Sequence, residues 1–453
     1  MSTTMVSTVL WIPPGSLDRF PYSYYSNSKE NDGVEESSAT DNTNVSGRNA
    51  KKKRERKSAD LEDTDDEDDT TVERFFDLPE LTSNAFPIDP NLNLMDHDTD
   101  DDEANEIRED DCVLVATSAE RDAATMEVYV YNEKEGNFYV HHDIIIPENP
   151  LCSEYVQVST SNPFKAMVAI GSCDPSIQLW DLNCIDRLDP TFSLINTPKK
   201  AKRKSKSSTS SATEALQSSV MALHASPLHI HLLASGSADA CVRIWDLSTR
   251  ACLSSYKHHT DKVQAVKWHP IEGSILLSTS FDRKVYLMDT RQGQSVPFAT
   301  LPADAECALW NRHRPMECLV GCEDGHLLSM DIRNISLPSQ TMEQTNTSIL
   351  ASFTAHESAI TGLADSAVEN MLVSCSLDGI AKVWDLPTLS VKSTENTKPI
   401  VQKALKAGPL FCCNSNIDIA TLFSFGGEFP VIWDVRESEP IREAFHLSWF
   451  SED

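Results

Sequence analysis

The chain has 453 residues, of which 69 are acidic and 39 are basic, and its net charge is −30. A field of this sign disfavours nucleic-acid binding over the whole surface, and no apolar run reaches the roughly 18 residues that a membrane span needs. Because the first 20 residues also lack the basic start of a signal peptide, we expect a soluble intracellular protein that binds no membrane.

The N-terminal quarter is more acidic than the rest, since residues 1–111 hold 29 acidic and 11 basic side chains, a net charge of −18. Residues 26–73 have almost no large apolar side chains and cannot bury enough surface to offset the entropy of ordering. We therefore predict a largely disordered acidic arm over residues 26–110, after a docking peptide in residues 1–25. The acidic runs of the arm either engage basic partners such as histones and ribosomal proteins or only keep the chain in solution.

Two basic clusters interrupt the acidic background, one within the arm and one near residue 200. We interpret both as nuclear localisation signals, and contact with ribosomal RNA is a second role that would weaken with salt. The alternative is solvated charge with no partner. Ser58 and Thr64 precede acidic residues and are candidate phosphorylation sites. The basic residues are Lys51, Lys52, Lys53, Arg54, Arg56 and Lys57 in the first cluster and Lys199, Lys200, Lys202, Arg203, Lys204 and Lys206 in the second.

From residue 111 onward one pattern recurs: an apolar strand, a turn with Asp or Gly, a second apolar strand, then an aromatic residue or Met followed by Asp or Asn. Seven copies occur, with 42 to 65 residues between successive terminal aromatic or Met positions. This period is typical of the four-stranded blades of WD-repeat proteins. The sequence predicts an all-β, seven-bladed WD-repeat β-propeller over residues 111–447, with a flexible basic loop inserted at residues 198–213 and a tail at residues 448–453. We expect residues 84–88 or 444–450 to supply the strand that closes the ring.

The repeats contain a regular set of polar and aromatic residues. In the best copies an Asp in the turn precedes the terminal Trp or Met by six residues, and two copies carry an upstream His. We predict a His–Ser–Trp–Asp hydrogen-bond network within such blades, with Ser278 or Ser374 as the hydroxyl. A Ser–His–Asp set also suggests hydrolysis, but its recurrence in more than one repeat favours architecture. The predicted structural residues are Asp174, Trp180, Asp239, Trp245, His259, Asp282, Asp324, His356, Asp378, Trp384 and Trp433.

Strings outside the general repeat resemble one family. Residues 10–15 (Leu-Trp-Ile-Pro-Pro-Gly) look like its N-terminal box, with Pro14 in place of a basic residue. Residues 126–132 and 138–147 extend the match, chiefly through Tyr-Val-His-His-Asp at residues 139–143. Together they resemble the periodic tryptophan protein 1 family of WD-repeat proteins, over residues 111–447 and the N-terminal box. The chain departs from the repeat pattern where Met replaces Trp and where Gly-His pairs are missing.

The resemblance implies a nuclear and nucleolar factor of ribosome biogenesis that supports rRNA transcription and processing of the large-subunit precursor. Its implied partners are pre-ribosomal proteins, with pre-rRNA and histones as further candidates. Two other functions stay open, a histone-tail reader on chromatin and a substrate receptor of a cullin-type ubiquitin ligase. The receptor would use the Trp-Asp-Val-Arg string at residues 433–436, in which Arg436 contacts an adaptor. The alternative is that Arg436 pairs with a neighbouring strand.

Signatures of catalysis are missing from the sequence, which has no phosphate-binding loop, nucleophile elbow or zinc-binding helix of the known motifs. Its 12 cysteines are scattered without the paired spacing of a zinc site, which indicates buried, reduced thiols. We therefore predict a non-catalytic scaffold that needs no metal, cofactor or small-molecule substrate.

Overall fold

Seven antiparallel sheets stand around a central channel, so the predicted all-β fold with seven propeller blades is confirmed. Six sheets have four strands, and the seventh has three among the residues described here. The innermost strand of each sheet contacts the innermost strands of the two neighbouring sheets, which closes the ring. The computed structural model describes residues 4–19, 21, 106–121, 123–159, 164–195, 218–334, 348–389 and 397–447.

Within each blade the strands run from the channel to the rim in chain order. Blades 1 to 3 comprise β1 (Met5–Ile12), β2 (Cys112–Ala119), β3 (Ala124–Asn132) and β4 (Asn137–Ile146); β5 (Pro150–Ser159), β6 (Phe164–Ser172), β7 (Ile177–Asp181) and β8 (Phe192–Leu194); and β9 (Val220–Ala225), β10 (Leu232–Ser237), β11 (Val242–Asp246) and β12 (Ala251–Tyr256).

The later blades follow the same plan until the seventh, which ends after three strands and is followed by a short helix. Blades 4 to 7 comprise β13 (Val263–Trp268), β14 (Ile275–Ser280), β15 (Lys284–Asp289) and β16 (Gln294–Thr300); β17 (Ala305–Trp310), β18 (Glu317–Cys322), β19 (His326–Asp331) and β20 (Ile349–Thr354); β21 (Ile360–Asp365), β22 (Met371–Ser376), β23 (Ile380–Asp385), helix α1 (Leu386–Leu389) and β24 (Val401–Ala404); and β25 (Cys412–Ser415), β26 (Leu422–Gly426), β27 (Pro430–Asp434) and helix α2 (Glu439–Phe445).

The sequence pattern of the strands follows from their burial. Second strands such as β22 are buried at all six positions, because neighbouring blades cover both faces of the sheet. Their sequences are therefore continuous apolar runs rather than alternating ones. The Trp residues one position before the end of the third strands are at most 2% exposed and fill the space between blades, at positions 180, 245, 384 and 433.

The N-terminal strand closes the ring. β1 is the innermost strand of blade 1 and pairs antiparallel with β2. On one side Val6 N–H donates to the Gly427 carbonyl of blade 7 at 2.8 Å. On the other side Thr8 Oγ1 lies 2.6 Å from Ser153 Oγ of blade 2. β1 therefore lies between the innermost strands of blade 2 and blade 7.

Two sequence-based predictions about the termini are therefore wrong. The docking peptide expected in residues 1–25 contains β1, which is mostly buried. β1 is the innermost strand of blade 1 and is therefore not available to bind another protein. The closing strand expected at residues 444–450 is not found in its described part, residues 444–447, because helix α2 extends to Phe445, and β1 closes the ring instead. The other candidate closing strand, residues 84–88, lies outside the described residues.

Several further predictions fall on parts of the chain that the structure does not describe. They concern the acidic arm up to residue 105, the inserted loop at residues 198–213 and the tail at residues 448–453. Among the residues that are described, neither α-helix has the length and hydropathy of a membrane span.

Candidate functional site

Blade 6 joins its predicted Asp, His, Ser and Trp in one hydrogen-bonded chain. His356 Nδ1 lies 2.9 Å from Asp378 Oδ2, and His356 Nε2 lies 2.8 Å from Ser374 Oγ. Trp384 Nε1 donates to the same hydroxyl oxygen at 2.9 Å. Because a carboxylate only accepts, His356 donates from Nδ1 and accepts from the Ser374 hydroxyl at Nε2. The chain of donors therefore runs from the indole through the hydroxyl and the imidazole to the carboxylate.

Blade 4 builds the same chain with a different first donor. His259 Nδ1 lies 3.0 Å from Asp282 Oδ2, and its Nε2 lies 2.9 Å from Ser278 Oγ. Met288 stands at the Trp position and offers no N–H, but His258 Nε2 lies 3.0 Å from Ser278 Oγ. Since Ser278 gives its proton to His259, His258 is the donor. Sequence reasoning missed His258; the signal was a His doublet in a repeat that has lost its Trp.

Blade 3 keeps only the Trp end of the network. Trp245 Nε1 donates to Ser235 Oγ at 2.8 Å. The turn carboxylate of Asp239 pairs with Arg243 instead of a histidine, which agrees with the absence of a His 22 or 23 residues before Asp239. A local ion pair thus takes the place of the longer chain.

The remaining blades keep single contacts from the predicted set. Asp174 of blade 2 and Asp324 of blade 5 each accept the backbone N–H two residues further on, at 3.2 and 3.1 Å, and so hold their turns. Trp180 donates to Gln178 Oε1 at 3.3 Å. In blade 7 the Trp433 Nε1 atom is buried without a hydrogen-bond partner in the described part of the chain. Within the described ranges, the full network therefore occurs in blades 4 and 6.

Burial keeps the network histidines neutral. It lowers the pKa of His259 and of His356 although each faces a carboxylate. Burial and the neighbouring His259 lower the pKa of His258 to about 4. Burial alone would raise the pKa of Asp282, but the Thr260 N–H and His259 donate to the carboxylate and bring its pKa below the usual range. Blade 4 therefore pairs an ionised Asp with two neutral histidines near neutral pH.

These Ser–His–Asp sets have no access to a substrate. The Ser374 side chain is fully buried and Ser278 is 1% exposed, so a substrate carbonyl could not reach either oxygen. The described residues also hold no group of three or more His, Cys, Asp or Glu side chains placed to bind a metal ion. The arrangement can hold the turns and strands of a blade together, and it leaves the loops and edges to contact partners.

Arg436 is paired across the boundary between blades 7 and 1. Its Nε donates to Asp434 Oδ1 at 3.1 Å and its Nη2 donates to Asp434 Oδ2 at 2.6 Å, while Nη2 also contacts Glu133 of blade 1. Arg291 and Arg333 pair in the same way with the Asp two residues before them. The geometry therefore gives Arg436 a structural role, and its contact with an adaptor stays a prediction.

The central channel widens at one end into a recess of about 500 Å³ where the innermost strands finish. Two carboxylates and two cations line it: Glu154, Asp365, Lys267 and Arg312, with Arg312 Nε 3.3 Å from Asp365 Oδ2. Burial raises the pKa of both carboxyls, and the cations oppose the shift. The recess is charge-balanced rather than an acidic cage, so recognition of a histone tail there stays a prediction.

The remaining predicted site residues lie outside the described ranges. They are the two basic clusters, at residues 51–57 and 199–206, and the candidate phosphorylation sites Ser58 and Thr64. The second cluster falls between β8 and β9 in the chain, and hence between blades 2 and 3. Nuclear import, RNA contact and phosphorylation therefore stay predictions.

Two family models match parts of the propeller. The model of the N-terminal domain of nucleolar protein 10-like proteins, a β-propeller, matches residues 106–309. The model of the WD domain, G-beta repeat, matches residues 347–385. The second match runs from β20 of blade 5 to β23 of blade 6 and includes the whole network of blade 6. It confirms the predicted WD-repeat character of the fold.

Three relatives are similar to most of the chain. Periodic tryptophan protein 1 homolog of Drosophila melanogaster is 29% identical over 377 residues, which cover 81% of this chain and 77% of the relative. An uncharacterized WD repeat-containing protein of Schizosaccharomyces pombe is 28% identical over 371 residues, with coverage of 79% and 68%. Periodic tryptophan protein 1 of Saccharomyces cerevisiae is 25% identical over 526 aligned positions, with coverage of 97% and 90%. The similarity to the last of these extends along nearly the whole chain.

Proposed function

The chain belongs to the periodic tryptophan protein 1 family of WD-repeat proteins, and from this premise we propose that it is a non-catalytic scaffold of ribosome biogenesis. In this role it supports rRNA transcription and processing of the large-subunit precursor. It acts by binding pre-ribosomal proteins, with pre-rRNA as a second kind of contact. Its site of action is the nucleolus.

The similarity to the Saccharomyces cerevisiae relative over 97% of this chain carries the proposal, because a match of this coverage includes almost all of the propeller. The match to nucleolar protein 10-like proteins supports the nucleolar location. The burial of both Ser–His–Asp sets supports the absence of catalysis, since their donors and acceptors already have partners inside the blades. A rigid ring of seven sheets leaves many loops and strand edges for binding.

The basic clusters supply the targeting and RNA-binding parts of the proposal. Against a net charge of −30, two short runs of Lys and Arg are the features suited to a nuclear import receptor. The same charges can contact phosphates of pre-rRNA, and this contribution should fall as salt rises. The acidic runs suit basic partners such as ribosomal proteins and histones.

Neither alternative function is favoured by the geometry. The ligase-receptor hypothesis needs a free Arg436, which is engaged by Asp434 and Glu133. The histone-reader hypothesis needs an acidic or aromatic cage, but Lys267 and Arg312 neutralise the carboxylates of the channel recess. The scaffold function depends on neither site.

Affinity purification of the full chain from nuclear extract, followed by identification of the recovered RNA and proteins, tests this proposal. We expect large-subunit precursors and their proteins with the unchanged chain. A variant in which the six basic residues at positions 199–206 become Gln should keep the proteins and lose salt-sensitive RNA. A control with the exposed Lys257 and Lys262 changed to Gln should behave like the unchanged chain. Recovery of no pre-ribosomal component with any of the three would overturn the proposal.

A further inference from the structure

The rim between blades 7 and 1 differs from the six other blade boundaries. Every other blade ends in a fourth strand, whereas β27 of blade 7 pairs with β26 only, among the residues that the structure describes. An outermost strand leaves one row of backbone N–H and C=O groups without a ladder partner. The edge of β27 can therefore accept one more strand.

The neighbouring face of blade 1 is uncovered at the same place. Ile432 of β27 packs against the same buried cluster as Tyr129, Tyr131 and Phe138, which form the inner part of this face. Tyr129 and Phe138 are stacked with ring centroids 4.9 Å apart.

Further out the same face of β4 presents Val140 and Ile145, which are 47% and 59% exposed. A fourth strand of blade 7 would stand in front of them, because successive strands of a blade extend from the channel to the rim. The apolar surface is thus exposed where the strand is missing.

This uncovered face also carries an unbalanced pair of carboxylates. Glu127 of β3 lies directly opposite Asp143 of β4 in the antiparallel register. Tyr129 Oη–H donates to Glu127 Oε2 at 2.7 Å, but neither carboxylate has an ion pair with a basic side chain in the described residues. Like charges placed directly opposite each other destabilise a strand pair. A Lys or Arg laid across the two would turn repulsion into attraction.

We propose that the rim between β27 and β4 is a docking groove for an extended segment of a partner polypeptide. The segment adds to β27 as the fourth strand of blade 7. Its apolar side chains cover Val140 and Ile145, and a Lys or Arg reaches Glu127 and Asp143. Backbone pairing gives affinity to such strand addition, and the alternate side chains give specificity. The inference rests on the proposed scaffold function and names one of its binding surfaces.

Charge favours a separate partner over the other two occupants. Residues 1–111 of this chain carry a net charge of −18, so the N-terminal arm as a whole is repelled by an acidic face. A second copy related by a twofold axis would bring Glu127 and Asp143 against the same two carboxylates. A basic, apolar strand of another protein meets neither penalty.

Fluorescence anisotropy with the purified full chain tests the groove, using three labelled octapeptides as probes. The first alternates Val with Lys, the second alternates Val with Glu, and the third is the Val-Lys peptide with Pro at a central position. We expect binding of the first alone, because Glu reverses the charge and Pro removes a backbone donor.

Variants of the chain locate the binding. Ile145→Asp and Asp143→Lys should each weaken the Val-Lys peptide about ten-fold or more, since each removes an apolar contact or an attraction. Leu253→Asp is the matched control, because Leu253 is 54% exposed on β12, the outermost strand of blade 3, where the next blade is complete. It should bind as the unchanged chain does.

Three outcomes would overturn the inference. One is equal binding to Ile145→Asp and Leu253→Asp. Another is a dimer of the unchanged chain that Ile145→Asp dissociates, which would make a second copy the occupant. The third is slow hydrogen exchange at residues 430–434 of the free chain together with no peptide binding. This result would show that another segment of the same chain already pairs with β27. Each can occur while pre-ribosomes are still recovered, so the groove and the scaffold function fail separately.

Discussion

Blades 6 and 4 fill one structural position with different chemistry. In blade 6 the Ser374 hydroxyl accepts from an indole, and in blade 4 the Ser278 hydroxyl accepts from the imidazole of His258. The rest of the chain is the same in both, a neutral His between a hydroxyl and a carboxylate. The network therefore requires a donor at a point in space rather than a Trp at a position in the repeat.

The two donors differ in what can change them. The indole N–H of Trp384 does not titrate in the physiological range, whereas His258 can take a proton. The indole also fills more of the space between blades than Met288 does. Blade 6 should therefore be the more sensitive to loss of volume, and blade 4 the more sensitive to acid.

The largest effect is expected when the Trp of blade 6 is replaced by Met, the residue that blade 4 has at the same position. Trp384→Met should lower the free energy of unfolding by about 3 kcal/mol, because it removes buried indole volume and the second hydrogen bond of Ser374. Urea titration followed by circular dichroism measures this loss. Met288→Leu in blade 4 is the control and should cost less than about 1.5 kcal/mol, since the Met sulfur is not part of the network. Equal losses in the two variants would show that the indole donor does not matter.

Acid should destabilise blade 4 through His258. The pKa of His258 is about 4 in the folded protein, below its usual 6.5, so the unfolded chain binds the proton more readily. Stability is complete above pH 6.5 and is lost as the pH falls from 6.5 towards 4. Between pH 8 and pH 5 the loss from this residue should be about 2 kcal/mol.

His258→Gln separates this contribution from that of the other buried histidines. A Gln amide can donate to Ser278 Oγ without titrating, so the variant should lose about 2 kcal/mol less than the unchanged chain between pH 8 and pH 5. His231→Ala, which removes an exposed imidazole outside the network, is the control. Identical pH profiles for the unchanged chain and His258→Gln would contradict the assignment of His258 as the neutral donor.

The smallest effect is expected where the network is shortest. Ser235→Ala in blade 3 leaves one indole N–H unpaired and should cost about 1 kcal/mol. Ser374→Ala leaves both an indole donor and an imidazole acceptor unpaired, which should cost about 2 kcal/mol. Thermal unfolding of the two variants side by side measures the difference. A larger shift for Ser235→Ala would mean that the longer chain adds nothing.

The sequence predicts the repeats well because their signals are local. An Asp in a tight turn and a Trp six residues later lie in one hairpin, so the spacing reflects geometry that holds wherever the hairpin packs. Each of the seven copies therefore indicates its own blade. The buried Trp positions of the third strands are predictable for the same reason.

The features that the sequence did not predict depend on distant contacts. Met5–Ile12 reads as an apolar strand, but nothing within it specifies that its partner is β2, far along the chain. The role of His258 is hidden for a related reason. His258 and His259 both reach the Ser278 hydroxyl because the loop before β13 lies close to β14. The spacing of residues in the sequence does not predict this approach.

The position of β1 has a consequence for biosynthesis. The Val6 carbonyl accepts from the Cys412 thiol, a contact between residues 406 positions apart. Because β1 is synthesised before the other strands of the propeller, it meets Cys412 only after the residues between them have left the ribosome. Contacts between such remote residues are slow to form. Until the final hairpin emerges, the blades form an open arc that leaves a blade face uncovered at each end. Chaperone binding would protect the nascent chain most during this interval.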